Sequence, residues 1–211
     1  MAMIQCISPV DGSVYAERPV LTLEAATAVV ARARQAQKGW AKRPLEERVQ
    51  LVLKGVARLN EMAGEVVPEL AWMMGRPVRY GGEFKGFNER SNYVANVAAE
   101  ALAPIEIETS AAFTRRIARE PHGVVFVIAP WNYPYMTAIN TVAPALMAGN
   151  TVIIKHAAQT LLVGERMVRA FVEAGVPEDV FQNVFLDHQT SEQLIATGAF
   201  NFINFTGSVA G

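Results

Sequence analysis

Gly123-Val-Val-Phe-Val-Ile-Ala129 is an unbroken apolar run, and its reading decides the fold. A strand with one wet face would alternate polar and apolar residues. This run does not alternate, so both of its faces need cover, as in a parallel sheet flanked by helices. Toward the C-terminus the same pattern repeats. A helical stretch from about 136 to 147 leads to Thr151-Val-Ile-Ile-Lys155, a second apolar strand that ends on a lysine. Then come a helix from about 161 to 174, a strand over 180–186, a short helix near 191–196 and a last strand, Phe202-Ile-Asn-Phe-Thr206. Strands alternating with helices over about 90 residues predict βαβ units and an α/β fold with four parallel strands.

Toward the N-terminus the character changes. Ile105-Glu-Ile-Glu-Thr109 alternates with period two, as Phe113 to Arg119 does more loosely. These segments predict a β-hairpin turning near Ser110-Ala111. Ahead of it the apolar spacing is helical. One helix is expected over 23–37, capped by Thr22, with Ala25, Val29, Ala33 and Ala36 on one face. A loop through Gly39, Trp40 and Pro44 should separate it from a helix over 45–63. A third, over 65–74, should stop at Gly75-Arg76-Pro77, and a fourth, over 83–101, before Pro104. Residues 7–20 read as irregular or as short strands around Asp11-Gly12. The expected division is a helical part over 1–104, a hairpin arm over 105–120 and the parallel-sheet core over 121–211.

The composition suits one large domain or two small ones: 211 residues, 51% hydrophobic and 18% charged. A formal net charge of -1 offers no strongly basic face, so nucleic acid is not expected as a partner. The single cysteine, Cys6, rules out a disulfide framework within the chain. The first residues lack a basic segment followed by a long apolar one, so no signal peptide is expected. The apolar runs are broken well short of a bilayer's thickness, so no membrane partner is expected and a cytoplasmic location is.

Ligands of open α/β sheets bind beyond the carboxyl ends of the strands. Three loops therefore carry the functional candidates. In Thr206-Gly-Ser-Val-Ala-Gly211, Gly207 removes side-chain bulk and Ser208 supplies a hydroxyl and an N–H. A helix starting near Ser208 would aim its positive end at a pyrophosphate. Alone, that pattern also fits an ordinary turn. Lys155 reads either as a surface lysine closing a strand or as a donor to ribose hydroxyls. Asn132, in Ala129-Pro-Trp-Asn-Tyr-Pro134, reads as a turn residue or as an amide donor to a developing oxyanion. No metal-ligand pattern stands out.

Taken together, the loops resemble those of aldehyde dehydrogenases. Pro130-Trp-Asn-Tyr-Pro134 is similar to that family's Pro-Trp-Asn-(Phe/Tyr)-Pro segment. Glu120-Pro-x-Gly-Val-Val125 resembles the lead into its first Rossmann strand. Pro144-Ala-Leu-x-Ala-Gly-Asn-Thr-Val-x-x-Lys155 resembles its second strand and lysine, and Phe205-Thr-Gly-Ser-Val-Ala-Gly211 its Phe-Thr-Gly-Ser-x-x-Gly turn. Pro9-x-x-Gly12, Gly39-Trp40, Glu47-Arg48 and Gly75-(Arg/Lys)-Pro77, with arginine here at position 76, fall in the expected order. The resemblance covers nearly the whole chain. It implies a Rossmann-like sheet with flanking helices, a helical N-terminal segment and a protruding hairpin that serves as an oligomerisation arm, in an incomplete version of that fold.

The resemblance also implies chemistry: an oxidoreductase turning a small-molecule aldehyde into a carboxylic acid with NAD or NADP, working as a homo-oligomer, a dimer or tetramer. Asn132 would hold the oxyanion of a cysteine thiohemiacetal. Lys155 would bind the ribose of the adenosine half, and Gly207 and Ser208 the pyrophosphate. Ala129, Pro130 and Trp131 would line the groove near the nicotinamide. Asn92 and Tyr93, on the helix over 83–101, are candidates for a substrate tunnel, although core packing explains that helix equally.

Two departures matter. The family commonly has Lys-Pro-x-Glu where this chain has Lys155-His156-Ala157-Ala158. The usual glutamate binds the ribose and repels a 2′-phosphate, so Ala158 implies that NADP is tolerated. The neighbouring His156 is expected in a solvated loop. The second departure is the reach of the sequence. The family's nucleophilic cysteine and general-base glutamate lie beyond the Gly-Ser-x-x-Gly turn, and Cys6 sits outside every motif. The chain alone is therefore expected to be an inactive, truncated cofactor-binding half without the catalytic domain. Competing readings are a non-catalytic dinucleotide-binding or assembly module, and a related reductase acting on acyl phosphates.

Overall fold

A computed structural model describes residues 2–209. Four parallel strands form its centre: β5 (Val124–Ala129), β6 (Thr151–His156), β7 (Phe181–Asn183) and β8 (Phe202–Phe205), in the order β7-β6-β5-β8. β5 pairs with β6 from Val124↔Thr151 to Ala129↔His156, and with β8 from Val125↔Phe202 to Ile128↔Phe205. The unbroken apolar run thus occupies the interior of the sheet.

Alternation along β5 divides the core in two. Val125, Val127 and Ala129 face α5 (Pro134–Met147), α6 (Val163–Glu173) and α2 (Leu45–Glu61). Val124 and Phe126 face α1 (Leu23–Trp40) and α7 (His188–Ala196). β6 obeys the same rule: Val152 and Ile154 join the first cluster and Ile153 the second. Gly55 of α2 lies so close to α6 that a Cβ there would sit 2.7 Å from the Phe171 ring.

The helices form as their ends dictate. Thr22 accepts the Ala25 N–H at 3.2 Å and starts α1. α3 (Ala63–Met74) ends at Gly75, which takes the left-handed conformation at φ 74° that a Cβ would resist. α4 (Phe84–Leu102) follows and packs on α5. Contrary to expectation, α1 runs on through Gly39 to Trp40. The Trp40 indole is buried and donates to the Leu146 carbonyl at 2.8 Å, so a tertiary contact carries the last turn past the glycine. Arg48 adds a guanidinium on the Met147 carbonyl at 2.9 Å. The carbonyl end of α5 is thereby satisfied by a donor and a cation, the sign its dipole favours.

Residues 2–20 are more regular than their sequence suggests. β1 (Met3–Ile7) and β2 (Val14–Pro19) form an antiparallel hairpin with a register shift at Cys6/Ile7. This hairpin is fastened to the far end of the chain. Cys6 Sγ lies 3.3 Å from the Gln159 carbonyl, Gln159 Nε2 donates to the Ile7 carbonyl at 3.2 Å, and Arg18 pairs with Glu165 at 2.9 Å. The second hairpin is shorter than expected. Its regular strands are β3 (Ile105–Glu106) and β4 (Arg116–Ile117), with further backbone bonds from Ile107 to Arg115 and from Ser110 to Phe113, and residues 103–120 are exposed throughout. β7 is also shorter than its apolar run, although Val184 still donates to the Ile154 carbonyl.

Candidate functional site

The carboxyl ends of β5, β6 and β8 open into one cleft, and hydrogen bonds hold its three loops together. Ala157 N–H donates to the Ala129 carbonyl at 3.2 Å, and Thr206 N–H to the Ile128 carbonyl at 3.0 Å. Two contiguous lobes of about 650 and 450 Å³ share Ile128, Lys155, His188, Phe205 and Ser208. Volumes of this order suit a small-molecule or cofactor site. Ala129, Pro130, Trp131, Asn132 and Gly207 line the second lobe, so the structure brings these sequence-selected residues together with Lys155 and Ser208.

Lys155 is 7% exposed and belongs to the buried polar set, not to the surface. Burial pushes its ammonium pKa down, and the Asp187 carboxylate pushes it partly back up. Asp187 caps α7, accepting the Thr190 N–H at 2.7 Å, and that bond holds its carboxyl below the usual range. Its neighbour His188 reaches both lobes, a position no sequence motif announced. A buried ammonium, a serine and a glycine turn at strand ends match the hydroxyls and phosphates of a dinucleotide.

At Asn132, Oδ1 accepts the Tyr133 N–H at 3.0 Å. The amide nitrogen Nδ2 has no partner among the described residues. The loop ends at Pro134, which begins α5 and has no N–H to leave unsatisfied. Two residues further on, Met136 N–H donates to Glu83 Oε2 at 2.8 Å. Arg76 pairs with the other oxygen of Glu83, donates to the Asn132 carbonyl at 2.9 Å and lies 5.1 Å from the centre of the Tyr133 ring. Sequence reasoning missed both partners. Gly75-Arg76-Pro77 reads as a helix stop and Glu83 as the start of α4. Yet Glu83 caps α5, and no local pattern reports a contact across 53 residues.

Three sequence expectations need correction or placement. His156 is not in a solvated loop. Strand β6 continues one residue past Lys155, so alternation turns the imidazole inward toward Gly164, and it is 4% exposed. Neither ring nitrogen has a hydrogen-bond partner, and burial, helped by the Lys155 charge, pushes its pKa down to about 3. Ala158 begins the 3-10 turn Ala158–Thr160, and it is Ala157 that lines the cleft. Asn92 and Tyr93 are exposed on α4 and line neither lobe. The helix expected from Ser208 would run through residues outside the described range.

A parallel sheet with helices on both faces, whose strand ends converge on a lysine, a serine and a glycine turn, defines an open α/β protein with its cleft at the carboxyl ends of the strands. The model of the aldehyde dehydrogenase family matches residues 2–211, and the chain belongs to that family. It is 31% identical to the NAD(+) benzaldehyde dehydrogenase of Pseudomonas putida, covering 96% of this chain and 42% of that protein. It is 30% identical to the NADP(+) succinate-semialdehyde dehydrogenase of Deinococcus radiodurans, with the same two coverages, 96% and 42%. The structure of an NADP-dependent glyceraldehyde-3-phosphate dehydrogenase from Bacillus halodurans, complexed with NADP, superposes with a TM-score of 0.90 at 30% identity. That match covers 99% of this chain and 45% of the other. The chain therefore spans less than half the length of the relatives it matches. Among the described residues no helix is long and apolar enough to cross a membrane.

Proposed function

We propose that this chain is the dinucleotide-binding part of an NAD(P)-dependent enzyme that oxidises an aldehyde to a carboxylic acid. The observation that carries the reading is the convergence of Lys155, Ser208 and the Trp131-Asn132 loop on one cleft. A nicotinamide dinucleotide bound there would supply the hydride acceptor. Lys155 donates to ribose hydroxyls, and Ser208 and the Gly207 backbone face the pyrophosphate. Ala129, Pro130 and Trp131 wall the groove toward the nicotinamide. Asn132, with Oδ1 already engaged, offers its NH₂ to the substrate oxygen as negative charge develops there. The attacking thiolate and the general base come from the protein beyond this chain. Cys6 is no candidate: it is buried, its pKa is raised by that burial, and it lines neither lobe.

The same reading extends to finer points. With Ala158 in place of a glutamate, the adenosine side accommodates NADP as well as NAD. The exposed arm over 105–120 serves assembly into a homo-oligomer, in keeping with its exposed apolar side chains Ile105, Ile107 and Phe113. The division into a helical part (1–104), that arm and a sheet core (121–211) follows. Asn92 and Tyr93 face the substrate tunnel in the complete protein, which is cytoplasmic.

Calorimetric titration with NAD and with NADP tests the cleft, and an aldehyde panel with either cofactor tests the chemistry in the full-length protein. Micromolar binding of both dinucleotides is expected, weakened about tenfold by Lys155→Met through loss of a charged hydrogen bond. Strict NAD preference would remove the reading of Ala158. Binding without turnover of any aldehyde would favour a non-catalytic module.

A further inference from the structure

We infer that Arg76 and Glu83 form a positioning pair that fixes the orientation of the Asn132 amide; the inference rests on the oxyanion role proposed for Asn132. The pair is buried: the Arg76 side chain is 12% exposed and that of Glu83 3%. Glu83 occupies a costly place. It is the one non-glycine residue with positive φ among the described residues, at 67°, and it gives no side-chain cap to its own helix, α4. Left-handed backbone in a residue with a Cβ persists where the surroundings over-determine it, and it gathers at functional sites. Here that backbone accompanies a carboxylate held at the first turn of α5, where it accepts the Met136 N–H. Burial pushes the Glu83 pKa up, while the Met136 N–H and the Arg76 guanidinium act against that rise.

Arg76 then does two things at once. It balances the buried carboxylate, and its Nη2 holds the Asn132 carbonyl at 2.9 Å while its plane packs on Tyr133. Asn132 is thus restrained at both oxygens: the main-chain oxygen by Arg76, and Oδ1 by the Tyr133 N–H at 3.0 Å. The NH₂ group alone stays available, on a residue that lines the second lobe. Glu83 and Arg76 line neither lobe, so they act through Asn132 and not on a ligand there. Lysine cannot replace Arg76 fully, because only the guanidinium fork reaches a carboxylate and a carbonyl together in one plane.

The test compares R76M, R76K, E83Q and N132A in the full-length protein. Turnover, KM for each dinucleotide, melting temperature and hydrogen exchange of the segment 130–136 are read together. R76M and E83Q are expected to lower kcat about 10- to 100-fold, the scale of a misplaced catalytic group. Dinucleotide KM should stay within about twofold and exchange over 130–136 should rise, while R76K recovers part of kcat. N132A should be at least as slow as R76M. If N132A keeps its rate, the oxyanion role falls. If N132A is slow and R76M is not, the positioning role falls. Exchange over 130–136 that is the same in R76M and wild type overturns the inference whether or not any aldehyde is oxidised. A uniform fall in melting temperature and in dinucleotide affinity, with no kcat effect, would reduce the pair to a structural one.

Discussion

His156 makes the stability of this chain depend on pH. Its ring is enclosed and without hydrogen-bond partners, and its pKa lies near 3 against 6.5 for the free side chain. The folded-state pKa is depressed, so the unfolded chain binds a proton first as pH falls. The contribution is fully present above about pH 6.5 and is lost progressively as pH falls toward 3. From pH 7 to pH 5 the linkage integral is about 2 kcal/mol, a sizeable part of the 5–15 kcal/mol typical of a domain. Carboxylates held below their usual range, such as Asp187 and Glu65, act mainly at lower pH. Glu83, whose pKa is raised, acts in the opposite sense. Urea unfolding followed by tryptophan fluorescence at pH 7 and pH 5 measures the difference. Wild type should lose about 2 kcal/mol more than His156→Leu, which keeps the volume and removes the titrating ring. Equal losses in the two proteins would refute the reasoning, because they would mean that His156 is hydrated or can turn to solvent.

Other perturbations test the packing. Gly55→Ala adds a methyl 2.7 Å from the buried Phe171 ring. It should cost about 1–3 kcal/mol by denaturant midpoint, despite the better helix propensity of alanine. Arg166 contacts Glu69 at 2.6 Å and Glu65 at 2.9 Å, with its side chain 15% exposed. Arg166→Ala should cost about 3 kcal/mol by leaving the largely buried Glu69 uncompensated, and the double replacement with Glu69→Met should recover much of it. Thr22→Ala should cost about 1 kcal/mol and hasten amide exchange in the first turn of α1.

The sheet was legible wherever one residue's environment is set by its near neighbours. An apolar run such as 124–129 can only be an interior strand, and Thr22 and Gly75 mark helix ends through their own side chain or lack of one. Trp40 was misplaced because its helical turn is held by Leu146, which local periodicity does not see. His156 was misplaced because β6 runs one residue further than read, and every position of that strand is buried. At the site, Lys155, Ser208 and Asn132 were all picked out by their place at strand ends, and all three needed the resemblance to separate them from a strand-closing lysine and ordinary turn residues. Arg76 entered only as part of the Gly75-(Arg/Lys)-Pro77 motif, with no role attached, and Glu83 escaped both routes. Their roles lie in a contact between the start of one helix and the start of another, and neither carries a local signature of it.

The fastening of β1 to Gln159 has a consequence for how the protein is made. Translation proceeds at about 5–20 residues per second, so Cys6 leaves the ribosome roughly 8–30 s before Gln159 does. During that interval Ile4 and Cys6 have β2 as a neighbour but not the surface that covers them in the finished fold. The first strand synthesised is therefore among the last to be seated. Slow codons placed between residues 20 and 160 lengthen its exposure without changing a single side chain.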